Sequence, residues 1–314
     1  MRICSFLPSA TEILYELGLG DAVTGVTHEC DYPGDVKNKL RVIDSFLNPN
    51  ELGSKEIDEL VAKNKEEGKS TYIIELEKLK EASPDIIITQ GLCEVCAVSG
   101  NEVIDAAKAL GSMPEIISLE PKTVTEVLDS FITVGKATNT ESEANELHGK
   151  LSSRLETVKQ KLEIEDERPK VFALEWFVPP YVGGHWVPEM VELAGGEPIL
   201  GKKAEPSFKV SWEDVLQCLP RYTIVMPCGY DIDKSLNEMD SLLSVEQWHK
   251  LPSTRKGHAY IVDANSYFSR PGPRIVTGIE ILAHILHPEL FDPDFPADSF
   301  INYRNYIYLQ DFLG

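Results

Sequence analysis

The sequence is short of cations. Its 314 residues carry 30 lysines and arginines against 51 aspartates and glutamates, a formal net charge of −21. Nucleic-acid backbones and anionic membranes both demand a basic face, so neither is expected as the main partner. The excess of anions suits a solubilising surface or saline surroundings. Also missing is any run of about 18 apolar residues, so the chain is not expected to be membrane-embedded. The opening residues, Met1-Arg2-Ile3-Cys4-Ser5-Phe6, lack the charged and then apolar regions of an export signal. As written, the chain is expected in the cytoplasm, and in the periplasm or outside the cell if a leader has been removed. Cysteine is sparse: Cys4, Cys30, Cys93, Cys96, Cys218 and Cys228 are too few in this length for a disulfide scaffold and read as reduced thiols. No nucleophile elbow, phosphate-binding Walker loop or dinucleotide glycine fingerprint is present, which argues against an enzyme.

What the chain does contain is a repeated alternation of strand and helix. A strand at residues 3–6 runs into Pro8-Ser9-Ala10-Thr11-Glu12, where Ser9 as N-cap and Glu12 three residues on predict a capping box for a helix ending near Gly18. Short apolar strands follow at 23–27, 85–89 and 116–119, with helical patterns such as 101–110 between them, and a Lys/Glu-rich solvated helix is expected within 48–68. Ala144, Leu147, Leu151, Leu155, Val158 and Leu162 recur at three- and four-residue spacing, predicting one long helix over 140–165 that Pro169 closes. A second alternation has strands at 171–174, 223–226 and 259–262, a helix over 188–193 ending at Gly195-Gly196, and a final helix over 273–286. The expected fold is α/β: two Rossmann-like lobes, residues 1–138 and 168–314 with a C-terminal tail, joined by one long helix over 139–167. A ligand cleft is expected between the lobes, at the carboxyl ends of strands.

A short internal echo supports two lobes. Glu77 precedes Pro84 and a strand, and Glu213 precedes Pro220 and a strand at the same spacing. Exposed glutamates also favour helix starts for electrostatic reasons alone.

Several stretches carry a family resemblance: Leu7-Pro8-Ser9-Ala10-Thr11-Glu12, Val26 through Asp31-Tyr32-Pro33, Ser83-Pro84-Asp85-Ile86-Ile87, Val210-Ser211-Trp212-Glu213 and Phe268-Ser269-Arg270-Pro271-Gly272-Pro273-Arg274. Over nearly its whole length the chain resembles the substrate-binding proteins of ABC importers for cobalamin, haem and siderophores, the cobalamin binders most of all. It looks like a leaderless branch of them, carrying Thr27-His28-Glu29-Cys30-Asp31-Tyr32-Pro33, Leu92-Cys93-Glu94-Val95-Cys96-Ala97-Val98 and Gly184-His185-Trp186-Val187-Pro188-Glu189. The resemblance implies a corrinoid ligand, cobalamin or cobinamide, or a similar metal chelate. It also implies that Glu77 and Glu213 dock, one per lobe, on arginines of a two-fold-symmetric ABC permease.

A corrinoid is a large, mostly flat macrocycle with amide arms, so its site needs aromatic faces and a few polar groups. Aromatics fall after expected strand ends: Tyr32; Trp176, Phe177 and Tyr181; Trp186 beside His185; Tyr267 and Phe268. Arg270 matches a ligand-contacting arginine of the cobalamin binders, although a nearby acidic residue of that family is Ser266 here. His185 and His28 each offer an imidazole nitrogen to cobalt or another metal. Cys93 and Cys96 directly follow the strand at 85–89, and Cys30 and His28 arrive from a neighbouring strand end. Four readings stay open for this Cys/His group: zinc or another thiophilic metal, a redox dithiol, a ligand contact, or inert buried thiols. The alternative to a binding protein is accordingly a cytoplasmic corrinoid-handling enzyme or chaperone, or a Cys/His metal-binding protein. His258, His284 and His287 read as structural.

Overall fold

The structure is a computed structural model that describes residues 1–46, 52–67, 70–91, 100–111, 113–165, 167–292 and 294–313. It divides into two units, Met1–Pro121 with Thr125–Lys150, and Lys122–Val124 with Leu151–Gly314. In chain order the first contains β1 (Ile3–Ser5), α1 (Pro8–Glu16), β2 (Val23–Thr27), β3 (Leu40–Ser45), α2 (Ser54–Glu66), β4 (Tyr72–Ile74), α3 (Leu76–Ala82), β5 (Ile86–Thr89), α4 (Gly100–Ala109), β6 (Glu115–Ser118) and α5 (Val124–Thr138). The long helix α6 (Glu141–Leu162) begins in this unit and ends in the second. Among the described residues no helix is long and apolar enough to cross a membrane.

The first unit's sheet has the order β4-β3-β2-β1-β5-β6. All its neighbours pair in parallel except β3 and β4. Strands with helices on both faces need apolar residues throughout, and β1 and β5 are buried at every position. Cys4, Phe6, Val42, Ile43, Leu79, Ile87 and Val103 form the core beneath one face. The order reverses beside β1, because the chain goes first to β2 on one side and later to β5 on the other. Such a reversal opens a crevice at the carboxyl ends of those strands.

The second unit contains β7 (Lys170–Trp176), β8 (Tyr181–Val182), α7 (Val187–Leu193), β9 (Glu197–Pro198), β10 (Phe208–Lys209), α8 (Trp212–Cys218), β11 (Tyr222–Val225), α9 (Ile232–Asn237), α10 (Met239–Leu243), α11 (Glu246–Lys250), α12 (Pro252–Lys256), β12 (Ala259–Val262), α13 (Ala264–Tyr267), α14 (Ile275–Leu286), β13 (Phe300–Asn302) and α15 (Tyr303–Leu313). Its sheet runs β10-β8-β7-β11-β12-β13, with β9 also on β7. The centre, β7, β11 and β12, is parallel, while β8, β10 and β13 are antiparallel additions. Its core includes Phe172, Leu174, Trp248 and Ile261, joined by Tyr303 and Tyr306 of α15.

The echo between the units is a copied piece of structure. Helices α3 and α8 have seven residues each and start at Leu76 and Trp212, 136 positions apart. Both end on a left-handed residue that is not glycine, Ser83 at φ 43° and Leu219 at φ 53°. A proline and one further residue then lead into β5 and β11.

Two local expectations need correction. Ser9 is not an N-cap: α1 starts at Pro8, Leu7 takes the cap position, and no side chain caps the helix. Proline fits the first helical position because its missing N–H would be unpaired there anyway, so Ser9 and Glu12 lie inside the helix and are buried. Nor is the helix ending at Leu286 the last element, since β13 and α15 follow it.

Candidate functional site

Each sheet presents a rim at the carboxyl ends of its parallel strands. On the second unit β7 ends in Glu175 and Trp176, and the loop after β11 crosses beside them, with Cys228 N–H donating to the Glu175 carbonyl at 3.0 Å. Tyr230 follows, and its ring meets Trp176 edge-on at 5.4 Å. Burial, with the charge of Glu238 added, pushes the Tyr230 phenol up, so it stays neutral. The Tyr230 carbonyl accepts from Asn265 N–H at 2.9 Å. Asn265 Oδ1 in turn accepts from Arg270 Nη2 at 2.8 Å, and Ser269 Oγ accepts from Gly229 N–H at 3.0 Å. One chain of hydrogen bonds thus ties the loops after β7, β11 and β12 into a single rim.

The β8–α7 loop joins this rim. Gly184 N–H donates to Ser207 Oγ at 3.0 Å and to Glu175 Oε2 at 3.3 Å, while Ser207 Oγ–H donates to the same carboxylate oxygen. A Cβ on Gly184 would stand 2.4–2.5 Å from the backbone of Glu205, Pro206 and Ser207, which is why glycine is needed there. Trp186 Nε1 donates to the Phe268 carbonyl at 2.7 Å. At His185 the backbone is left-handed, φ 50°. Burial and the Lys122 ammonium hold its imidazole below the usual histidine range. In the first turn of α7, which follows this loop, Glu189 is buried and accepts from Val124 N–H at 2.6 Å and from Lys203 Nζ at 2.7 Å.

The expected aromatics divide by burial. Trp176, Tyr181, His185 and Tyr267 are half-buried, with Lys209 Nζ 5.5 Å from the Tyr181 ring and the Arg274 guanidinium 5.8 Å from the Tyr267 ring. Trp186 and Arg270 are each 8 % exposed. Phe177, 1 % exposed, and Phe268, 2 %, are core side chains, with the Phe177 ring 6.3 Å from that of Tyr230.

On the first unit Tyr32 follows β2 and is 46 % exposed. His28 lies beside Tyr72, ring centroids 5.9 Å apart, with Nε2 3.9 Å from Glu29 Oε1. Its Nδ1 is buried with no hydrogen-bond partner among the described residues. Cys30 is buried, its sulfur 3.1 Å from Thr11 Oγ1 and 3.5 Å from Thr27 Oγ1. Cys93 and Cys96 lie outside the described residues, and among those described no group of three or more His, Cys, Asp or Glu side chains is placed to hold a metal ion. Cys4 is buried, with its thiol pushed up to about 12 chiefly by desolvation, whereas Cys218 and Cys228 are only half-buried, less enclosed than core residues. Glu77 and Glu213 sit in the first turns of α3 and α8 and are exposed. Glu77 pairs with Lys80 at 2.7 Å, and Glu213 accepts from Gln247 Nε2 at 2.6 Å.

Sequence reasoning missed Glu175, Ser207, Tyr230 and Asn265, which build the rim. Their one signal was position, just after or opposite a parallel strand's carboxyl end.

With this geometry in place, comparison with known proteins is decisive at the level of family, since the periplasmic binding protein model matches residues 3–266. The chain belongs to the periplasmic binding protein family. This is a family of substrate-binding proteins, not of enzymes. One relative is an uncharacterized ABC transporter substrate-binding lipoprotein of Bacillus subtilis, YvrC, 25 % identical over 300 residues, which are 92 % of this chain and 81 % of that protein. The vitamin B12-binding protein of Vibrio parahaemolyticus is 23 % identical over 286 residues, covering 90 % of this chain and 88 % of its own. Among solved structures, a periplasmic heme-binding protein from Pseudomonas aeruginosa aligns with a TM-score of 0.72 at 16 % identity, over 96 % of this chain and 97 % of that one. The expected α/β fold with two lobes is therefore the family's fold, and a substrate-binding role goes with it.

Proposed function

We propose that this periplasmic binding protein takes up a corrinoid, cobalamin or cobinamide, or a closely similar chelate, at the carboxyl rims of its sheets. The observation that carries the reading is the second unit's rim, where half-buried Trp176, Tyr181 and Tyr267 accompany Trp186 and the buried Arg270. Aromatic faces cover a flat macrocycle, and an arginine fixed by Asn265 presents N–H donors to amide carbonyls. On the first unit's own rim Tyr32 and His28 are proposed as ligand contacts, and on the second unit Phe177 and Phe268 are proposed to support from the core. The vitamin B12-binding relatives favour the corrinoid. So does charge: corrinoid amides are neutral, whereas the two carboxylates of haem would enter the field of a chain with net charge −21. Glu77 and Glu213, equivalent in the copied segments, are proposed as the contacts for a two-fold-symmetric ABC permease.

The test is calorimetric titration of the reduced, metal-free protein with cyanocobalamin, cobinamide and haemin. Saturable heat near one corrinoid per chain, and weaker heat with haemin, is expected. Silence with both corrinoids overturns the reading, and tight binding of haemin alone transfers the site to haem.

A further inference from the structure

We infer that His185 is an axial ligand, giving an imidazole nitrogen to the metal at the centre of the bound chelate. The inference rests on the corrinoid reading and adds to it a residue-specific bond to cobalt.

The first ground is how the ring nitrogens of the seven histidines are used. His284 Nδ1 meets the Phe291 carbonyl at 2.7 Å, His249 Nε2 the Leu243 carbonyl at 2.8 Å, and His287 Nε2 the Gly195 carbonyl at 3.4 Å. His148 faces Asp129 at 3.7 Å, His28 faces Glu29 at 3.9 Å, and His258 has a hydrogen bond with the Arg221 backbone. Among the described residues His185 alone has no hydrogen-bond or carboxylate partner on its ring. The other six each meet a protein group through a ring nitrogen, whereas the His185 ring meets only the Trp186 ring among the described residues.

The second ground is placement. Gly183 and Gly184 precede it, yet the left-handed position is given to histidine, a conformation that a residue with a side chain adopts at a cost and that clusters at functional sites. The fold pins it there: His185 N–H donates to the Glu205 carbonyl at 2.6 Å, and the His185 carbonyl accepts from Ala204 N–H at 2.9 Å. The ring lies 5.7 Å from that of Trp186 at 31°, and the Trp186 indole is itself tethered to the Phe268 carbonyl. The imidazole is thus held on a rigid arm at the aromatic rim.

The step is a simple substitution. A corrinoid cobalt(III) with water in an axial position loses that water, the imidazole nitrogen donates its lone pair to cobalt, and the metal's oxidation state does not change.

Two probes separate the bond from the binding. Diaquocobinamide has exchangeable axial positions, and dicyanocobinamide has both blocked. Binding to the full chain is measured by calorimetry, and coordination by the visible absorption bands. Both probes are expected to bind, with a spectral shift for diaquocobinamide like that produced by free imidazole. In His185→Ala that shift is lost, and the affinity ratio of diaquo- over dicyanocobinamide falls roughly tenfold or more. His185→Gly, which suits the left-handed backbone, gives the same result if folding is not at issue. Binding of both probes without a shift, or a shift that survives in both variants, overturns the axial ligand and leaves the corrinoid reading standing. If neither probe binds, both readings are overturned.

Discussion

Glu189 holds two donors at once, the Val124 N–H and the Lys203 ammonium, from a buried position on α7. Removing the carboxylate strands a backbone N–H at the start of α5. Glu189→Ala is expected to cost about 1.5–3 kcal/mol in denaturant unfolding, toward the low end because Lys203 is partly solvated. Glu189→Gln, which keeps an acceptor for Val124, should cost clearly less, and equal losses would show that the contact contributes little. Histidine sets a pH dependence of known sign. His258, stacked on Tyr222 at 4.8 Å, and His185 are both held below the ordinary histidine range, mainly by burial. As pH falls below about 6.5 the unfolded chain takes up protons that the folded chain refuses. Stability is therefore present above that pH and is lost as pH falls toward the folded-state values. His258→Gln should flatten this part of the stability profile, measured as unfolding midpoint against pH; an unchanged slope would refute the assignment. At this scale the sequence is only partly legible. Aromatics after strand ends are visible in it, but whether a ring lines the rim, like Trp176, or sits beneath it, like Phe177, depends on packing. Glu175 and Asn265 belong to no motif and become visible only when three loops meet.

Helices α3 and α8 both end on left-handed residues where glycine would be easier. Leu219 is 61 % exposed, so removing its side chain gives up little packing. Leu219→Gly is expected to stabilise the chain by about 1 kcal/mol and to raise the melting temperature by about 1–2 °C. A fall in melting temperature would mean that Leu219 packs on something essential. The elements that the sequence makes plain are those with enough residues to show a period or an apolar run: β2, β5, β12 and the long α6. The ones that stay hidden are β8, β9 and β10, two residues each. Two residues have no periodicity, and these strands exist only through pairing with β7 or with each other. The C-terminal segment is hidden for another reason. It reads as a tail because its aromatics have no visible partner nearby, yet Tyr303 meets Trp248 edge-on at 5.5 Å and is buried.

Across the whole molecule the dominant electrostatic fact is the net charge of −21. Like charges repel over the folded surface more than in an expanded chain, and salt screens that repulsion as the Debye length falls from about 30 Å at 0.01 M to about 8 Å at 0.15 M. The melting temperature should rise over that range, and a flat or falling response would show that specific ion pairs such as Arg154–Glu280, bridged at 2.9 Å, outweigh the general field. The copied segment, seven helical residues, a left-handed turn, proline and strand, has a consequence for every experiment on it. A substitution at Ser83 has its twin at Leu219, and one at Glu77 has its twin at Glu213, each in the same local backbone but a different neighbourhood. The protein therefore carries its own internal control: an effect shared by twins belongs to the segment, and an effect confined to one belongs to what surrounds it.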